Sequence, residues 1–213
     1  MDSDSDIKQK GIVIDLDGTL LLCNTFHKYF SYILKYTILR FKIWQVLYII
    51  GLLLGRKLRL YSHSYFKRKI LSLPIPSKDS LNKFVDDILK YLNLQVLEIF
   101  KEYKMKGYYT CLATAAPLLY SKLIAERYEF DIVCATQSND SSDQVWVETI
   151  RDEKLNAVSR IFNQKGVSID VVVTDHSDDI PLMAKALNAN YLVNPSNETL
   201  KLIESEKIEY CIV

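Results

Sequence analysis

Carboxylates gather in two short runs, and each run closes an apolar stretch. Gly11-Ile-Val-Ile leads into Asp15-Leu-Asp17-Gly-Thr19, and Ile169-Asp-Val-Val-Val leads into Thr174-Asp175-His-Ser-Asp178-Asp179. A third apolar stretch closes on Thr114-Ala115-Ala-Pro117. Carboxylates held together repel, so a cation is expected among them. All-oxygen donors without a His or Cys cluster suit Mg²⁺ rather than zinc. A carboxylate on Mg²⁺ can attack phosphorus and form an aspartyl-phosphate. A second carboxylate two residues along can protonate the leaving oxygen and later deprotonate water. A hydroxyl and a lysine can hold the non-bridging phosphate oxygens as charge builds. Lys154 opens a predicted helix between the second and the late strand and is the leading lysine; Lys122 and Lys165 are worse placed.

These groups meet only if their strands share a sheet. The β-branched run 11–15 reads as a buried strand. After Gly107, strands predicted at 108–114, 132–135, 169–174 and 190–193 alternate with helices at 117–128, 153–162, 178–187 and 198–204. That alternation predicts an α/β fold, a parallel sheet with helices on both faces. Ligands then bind outside the carboxyl ends of the strands, where the three polar runs lie. Between the first and second strands the period changes. Phe26, Tyr29, Phe30, Ile33, Leu34, Ile38 and Phe41 recur at helical spacing, and Ile43–Leu54 is apolar nearly all round, which predicts burial or contact with something greasy. Pro74 and Pro76 break the pattern, and two more helices are predicted at 79–92 and 95–106. Residues 24–104 thus read as a helical insertion, with 1–23 and 105–213 forming the sheet domain and 1–10 a disordered tail.

The composition excludes several classes. With 49% hydrophobic and 25% charged residues, the 213-residue chain can bury a core. Cys23, Cys111, Cys134 and Cys211 form no CxxC pair, so they read as small core residues in a reducing compartment. Cys211 misses the prenylation pattern by one place. The start MDSDSDIKQK has no apolar h-region, so no secretory leader is expected, and the longest uncharged run near the middle, residues 43–55, is too short to span a bilayer. The expected location is cytoplasmic, with peripheral attachment at the inner membrane surface. Charge is segregated: residues 18–78 hold eleven Lys or Arg and no acid, leaving 16 basic and 26 acidic residues elsewhere. Such a surface draws anionic substrates or lipid headgroups, or is a solvated bundle face. An apolar run flanked by Arg40, Lys42, Arg56, Lys57 and Arg59 has the form of an interfacial anchor. No nucleic-acid partner is expected. Trp44 and the tyrosines of the insertion read as packing residues, and His27, His63 and His176 as hydrogen-bonded structural ones.

Asp15-Leu-Asp-Gly-Thr19-Leu after an apolar strand resembles the first motif of the haloacid dehalogenase superfamily of phosphohydrolases. Leu112-Ala-Thr114-Ala resembles its second motif, Lys154 its third, and Asp175-His-Ser-Asp-Asp179-Ile-Pro-Leu-Met its fourth. The helical insertion and Asn194-Pro195 are similar to the phosphoserine-phosphatase-like subgroup with a C1 cap. The resemblance implies a Rossmann-like core and a role for each residue. Asp15 would be the nucleophile and a Mg²⁺ ligand. Asp17 would be the general acid/base and bind Mg²⁺ through its carbonyl. Thr114 and the Ala115 amide would bind phosphate, and Lys154 would neutralise the phosphorylated Asp15. Asp175 would ligate Mg²⁺, and Asp179 would do so directly or through water. The chain departs from the pattern at Thr174, where glycine is common, and at His176, where a small residue is common.

The implied activity is hydrolysis of an anionic phosphate monoester, with a lipid-linked one favoured by a weaker resemblance to phosphatidylglycerophosphate phosphatases. A sugar or amino-acid phosphatase, or a phosphotransferase, shares every motif. A membrane-surface or partner-binding module on a vestigial scaffold is the reading from another class. Phosphoserine is disfavoured because its ammonium wants a carboxylate in the cap, and no acid lies between Asp17 and Asp79.

Overall fold

The computed structural model describes residues 9–74, 76–137 and 146–213. Six strands form one parallel sheet: β1 (Gln9–Ile14), β2 (Tyr109–Pro117), β3 (Ile132–Thr136), β4 (Val167–Thr174), β5 (Ala189–Leu192) and β6 (Cys211–Ile212). Their order is β3-β2-β1-β4-β5-β6. The chain builds outward from β1 on one side, then crosses back to build outward from β4 on the other. The carboxyl ends of β1 and β4 therefore flank the point where the winding reverses, the place where such sheets open a crevice. The α/β Rossmann-like class agrees with the sequence reading.

Side chains alternate across the two central strands. Ile12, Ile14, Val171 and Val173 face one apolar layer, and Val13 and Val172 face the other. The second layer is closed by α7 (Asp152–Lys165), α8 (Ile180–Met183) and α9 (Asn197–Ser205). A Cβ at Gly11 would lie 2.4 Å from the Phe162 ring and 2.9 Å from the Ser168 carbonyl, so α7 and β4 close tightly on β1 there. The first layer is closed by α6 (Leu118–Tyr128) and by five helices between β1 and β2. These are α1 (Thr25–Leu39), α2 (Ile43–Lys57), α3 (His63–Leu71), α4 (Lys78–Leu89) and α5 (Leu94–Met105). The last of them, α5, packs on β1 and β2 through Val96, Phe100 and Tyr103. The chain leaves and rejoins the sheet layers at one neck: Leu22 N–H donates to the Tyr91 carbonyl (2.8 Å) and Asn93 N–H to the Leu20 carbonyl (2.9 Å).

Several expectations change. Residues 9 and 10, expected in the tail, begin β1; residues 1–8 lie outside the described residues. The expected helix 178–187 is a 3-10 turn at Ser177–Asp179 followed by four α-helical residues. The chain must enter β5 at Ala189, and Asn190 Nδ2 donates to the Met183 carbonyl (3.3 Å) where α8 stops. The helix α3 was not predicted; Ser62 caps it by accepting from the Tyr65 amide (3.1 Å), and Phe66 and Ile70 bury its inner face. The helix α2 is only half covered. Ile49, Leu52 and Gly55 are buried, whereas Trp44, read as packing, stays 84% exposed. Cys111 and Cys134 are core residues, but Cys211 is exposed on β6, the last strand of the sheet. Among the described residues no helix is long and apolar enough to cross a membrane.

Candidate active site

The backbone of Asp15 extends the β1–β4 pairing by one bond, its N–H donating to the Val173 carbonyl (2.9 Å). This sets its buried carboxylate at the strand end. Asp175 sits at the matching end of β4. Between them the chain turns at Gly18, whose φ of +78° is the left-handed conformation glycine tolerates. A Cβ there would fall 2.1 Å from the Asp175 carboxylate, so no other residue leaves room for it. The Thr19 hydroxyl donates to Asp175 Oδ1 (3.3 Å). The Asp17 carboxylate caps α1, accepting from the Thr25 N–H (3.0 Å), and the Thr25 hydroxyl pairs with Tyr120 (3.0 Å).

Lys154 lies in the first turn of α7 and is 4% exposed. Its ammonium donates to Asp15 Oδ1 (2.8 Å) and Asp179 Oδ2 (2.9 Å), and stands 2.6 Å from Asp179 Oδ1. Asp179 Oδ2 also accepts from the Thr174 hydroxyl (2.7 Å), so threonine at this departure from the motif positions the acid that holds the lysine. His176 is structural, its Nδ1 accepting from the Asp178 N–H (3.1 Å). Thr114 lies buried in β2. Its oxygen accepts from the Ala116 N–H (3.0 Å), which leaves the hydroxyl proton to donate. The sheet thus brings Asp15, Asp17, Thr114, Ala115, Lys154, Asp175 and Asp179 to one edge.

The electrostatics follow from burial. Desolvation pushes Asp15 up to about 8 against the opposing pull of Lys154, with Asp179 and Asp175 adding to the rise. Desolvation also works against the charge on Lys154, but Asp15 and Asp179 outweigh it and hold the ammonium protonated. Two carboxylates within 3 Å of the ammonium thus settle the lysine as charged. Burial raises Asp17, opposed by its contacts with Thr25 and the charges of Lys67 and Lys154. Burial likewise raises Asp175. Two carboxylates thus share one lysine, and the cradle at Gly18 keeps the space beside Asp175 free of side chain. Among the described residues no three acidic, His or Cys side chains form a ready-made ligand cage. Mg²⁺ does not require one, because it takes one or two carboxylates and keeps several waters. The donor set of Asp15, Asp175 and the Asp17 carbonyl fits it in charge and kind.

One pair of site residues had no signal in the sequence. Lys67, on the inner face of α3, is 3% exposed and donates to the Ala115 carbonyl (2.8 Å) and to the Glu148 carboxylate. Glu148 also accepts from the Ser64 hydroxyl (2.9 Å). The Thr136 hydroxyl meets the same Ala115 carbonyl (2.7 Å). The helix α3 is therefore tied to the phosphate-binding segment suggested by Thr114 and Ala115.

The family model for haloacid dehalogenase-like hydrolase matches residues 12–184, most of the chain. The chain belongs to the haloacid dehalogenase-like hydrolases. This hydrolase also has the fold of several solved structures. It is similar to a protein of unknown function from Bordetella pertussis Tohama I, at TM-score 0.75 and 15% identity, covering 95% of this chain and 98% of that one. It is similar to a HAD family hydrolase from Salmonella enterica serovar Typhi, at TM-score 0.65 and 14% identity, covering 96% and 68%. It also resembles a phosphoserine phosphatase solved as a phospho-aspartyl intermediate analogue, at TM-score 0.61 and 19% identity, covering 96% and 93%. Identities this low speak for the fold alone, and that fold is the phosphoserine-phosphatase-like one. Curated protein sequences give no match.

Proposed function

We propose that this hydrolase is a Mg²⁺-dependent phosphomonoesterase that works through a phospho-aspartate at Asp15. The observation that carries the reading is the buried Asp15 carboxylate, ion-paired to Lys154 at the point where the sheet reverses, with Asp17 two residues on. Asp15, Asp175 and the Asp17 carbonyl would hold the metal, with Asp179 joining directly or through water. Bound Mg²⁺ would supply neutralising charge to the attacking carboxylate and the phosphate. Asp15 attacks phosphorus, and the bond from phosphorus to the ester oxygen breaks. Burial raises the Asp17 carboxyl and so favours its protonated form, which gives its proton to the departing alcohol. The Thr114 hydroxyl, the Ala115 N–H and Lys154 hold the non-bridging oxygens. Asp17, now a base, takes a proton from water as that water attacks the phospho-aspartate. Phosphate leaves and Asp15 is restored.

In this reading residues 24–104 act as the cap over the site and 1–23 with 105–213 as the catalytic core. The substrate is an anionic phosphate ester, and the eleven cations of residues 18–78 support a lipid-linked one read at the inner membrane surface. A sugar or metabolite phosphatase and a phosphotransferase use the same groups. An amino-acid phosphate fits less well. Glu148 is the carboxylate nearest Lys67, and it is already engaged by Lys67 and Ser64. The test is phosphate release from a panel of esters, with Mg²⁺ and with EDTA, for wild type and Asp15→Asn. The panel holds phosphatidylglycerophosphate in mixed micelles, phosphoserine and several sugar phosphates. Turnover that needs Mg²⁺ and vanishes in the variant supports the chemistry. Turnover unchanged by Asp15→Asn overturns it.

A further inference from the structure

Among the described residues, the helices between β1 and β2 leave one apolar surface uncovered. Among the described residues, twelve of the twenty exposed large hydrophobic side chains lie between Ile38 and Leu60, so the exposure is one patch rather than scatter. Trp44, Leu47, Gly51, Leu54 and Leu58 follow at three- and four-residue steps and form one stripe along α2 and its end. Phe41, at the turn into α2, is 87% exposed. The opposite side of α2 is firmly seated. It packs on α1 and α3, and a Cβ at Gly55 would lie 2.1 Å from the Tyr61 ring. The outward stripe is thus a finished surface, not a face awaiting its own core. The charges bordering it along the chain are all cations: Arg40, Lys42, Arg56, Lys57 and Arg59.

We propose that this face docks on an anionic phospholipid bilayer. The helix α2 lies in the interface, its stripe at the acyl boundary and its basic rim on the headgroups. Charge decides the occupant. A second copy would set two cationic rims against each other, whereas anionic headgroups satisfy the rim while the layer beneath accepts the stripe. Trp44 and Tyr48 have the amphipathic rings that settle at such a boundary. At 15 residues α2 is about 22 Å long, short of the roughly 30 Å hydrocarbon core, so it lies on the membrane and does not cross it. The inference deepens the phosphatase reading, because α3 joins this face to the Ala115 segment through Lys67. The docking itself stands on the patch and not on the chemistry.

The full chain carrying Trp146→Phe keeps Trp44 as its sole tryptophan and reports on the face directly. It is titrated with vesicles of phosphatidylcholine and of an equimolar mixture with phosphatidylglycerol. On the mixed vesicles Trp44 emission shifts to the blue and brominated acyl chains quench it. Neutral vesicles, or the exposed-face variant Leu47→Ser/Leu54→Ser, bind at least about tenfold more weakly. Unchanged emission with no co-sedimentation on mixed vesicles at low salt overturns the proposal. So does a solution dimer that Leu47→Ser/Leu54→Ser dissociates. An emission change on polyglutamate without quenching on brominated vesicles overturns it in favour of an acidic protein. Asp15→Asn docks like wild type, so turnover unchanged by that variant, with docking retained, rejects the catalytic reading alone. Lost docking with retained turnover of a soluble ester rejects the docking alone.

Discussion

Around Asp15 the balance of protons and cations governs both stability and chemistry. Its carboxyl moves from the usual 3.8 to about 8, mainly through burial. Between those values the folded site holds a proton that the unfolded chain has released. Raising the pH across that window therefore removes stability from the metal-free protein. In the proposed reading Mg²⁺ would compete with that proton for the same oxygen. The gain in melting temperature on adding Mg²⁺ should thus be larger at about pH 8 than at about pH 5.5. Differential scanning calorimetry at both values checks it, and an equal gain at the two would count against Asp15 as a ligand. Thr174 shows how a departure from a motif keeps its logic. Its hydroxyl holds Asp179, which holds Lys154, which holds Asp15.

At the scale of elements, what the sequence made readable depended on how local the cause was. The strands β1 and β4 were legible because they are buried on both faces, so they read as continuous β-branched runs ending in acids. The carboxylates of the site were legible with them. Lys67 and Glu148 were not, because 81 residues separate the partners and neither has a spacing that marks it. The helix α3 was hidden for a related reason: Lys67 occupies its buried face and blurs the apolar period. At α2 hydropathy left two readings, burial or contact with something greasy, and most of the large side chains of that run stay outside. The Lys67–Glu148 pair permits a quantitative test. Glu148→Gln strands a buried ammonium and should cost about 3 kcal/mol of stability. The double variant Lys67→Met/Glu148→Gln should cost less than the two single changes added together. Urea denaturation of the four proteins closes the cycle, and full additivity would mean that the two residues do not act as a pair.

For the whole molecule, charge is divided between two territories. Residues 18–78 carry only cations, while the rest holds 26 acids against 16 bases. An anionic ester approaching the site is drawn by the first and repelled by the second, and salt screens both over about 8–10 Å. If the cationic territory steers capture, kcat/KM for a soluble anionic ester should fall by about threefold or more between low and physiological ionic strength, with kcat little changed. Stopped-flow or steady-state assays across a salt series at constant free Mg²⁺ measure it. A flat kcat/KM would show that the basic stretch plays no part in capture.

The neck where Leu22 meets Tyr91 and Leu20 meets Asn93 sets what can change in this fold. Residues 23–90 leave and return at nearly one point, so to the sheet they are a single long loop already closed. The entropy of such a closure grows only with the logarithm of loop length, about 0.6 kcal/mol for each doubling. Helices can therefore be lengthened, made greasier or exchanged there with little effect on strand register or on the acids at the strand ends. What the molecule binds can drift while the acids at the strand ends stay where the sheet sets them.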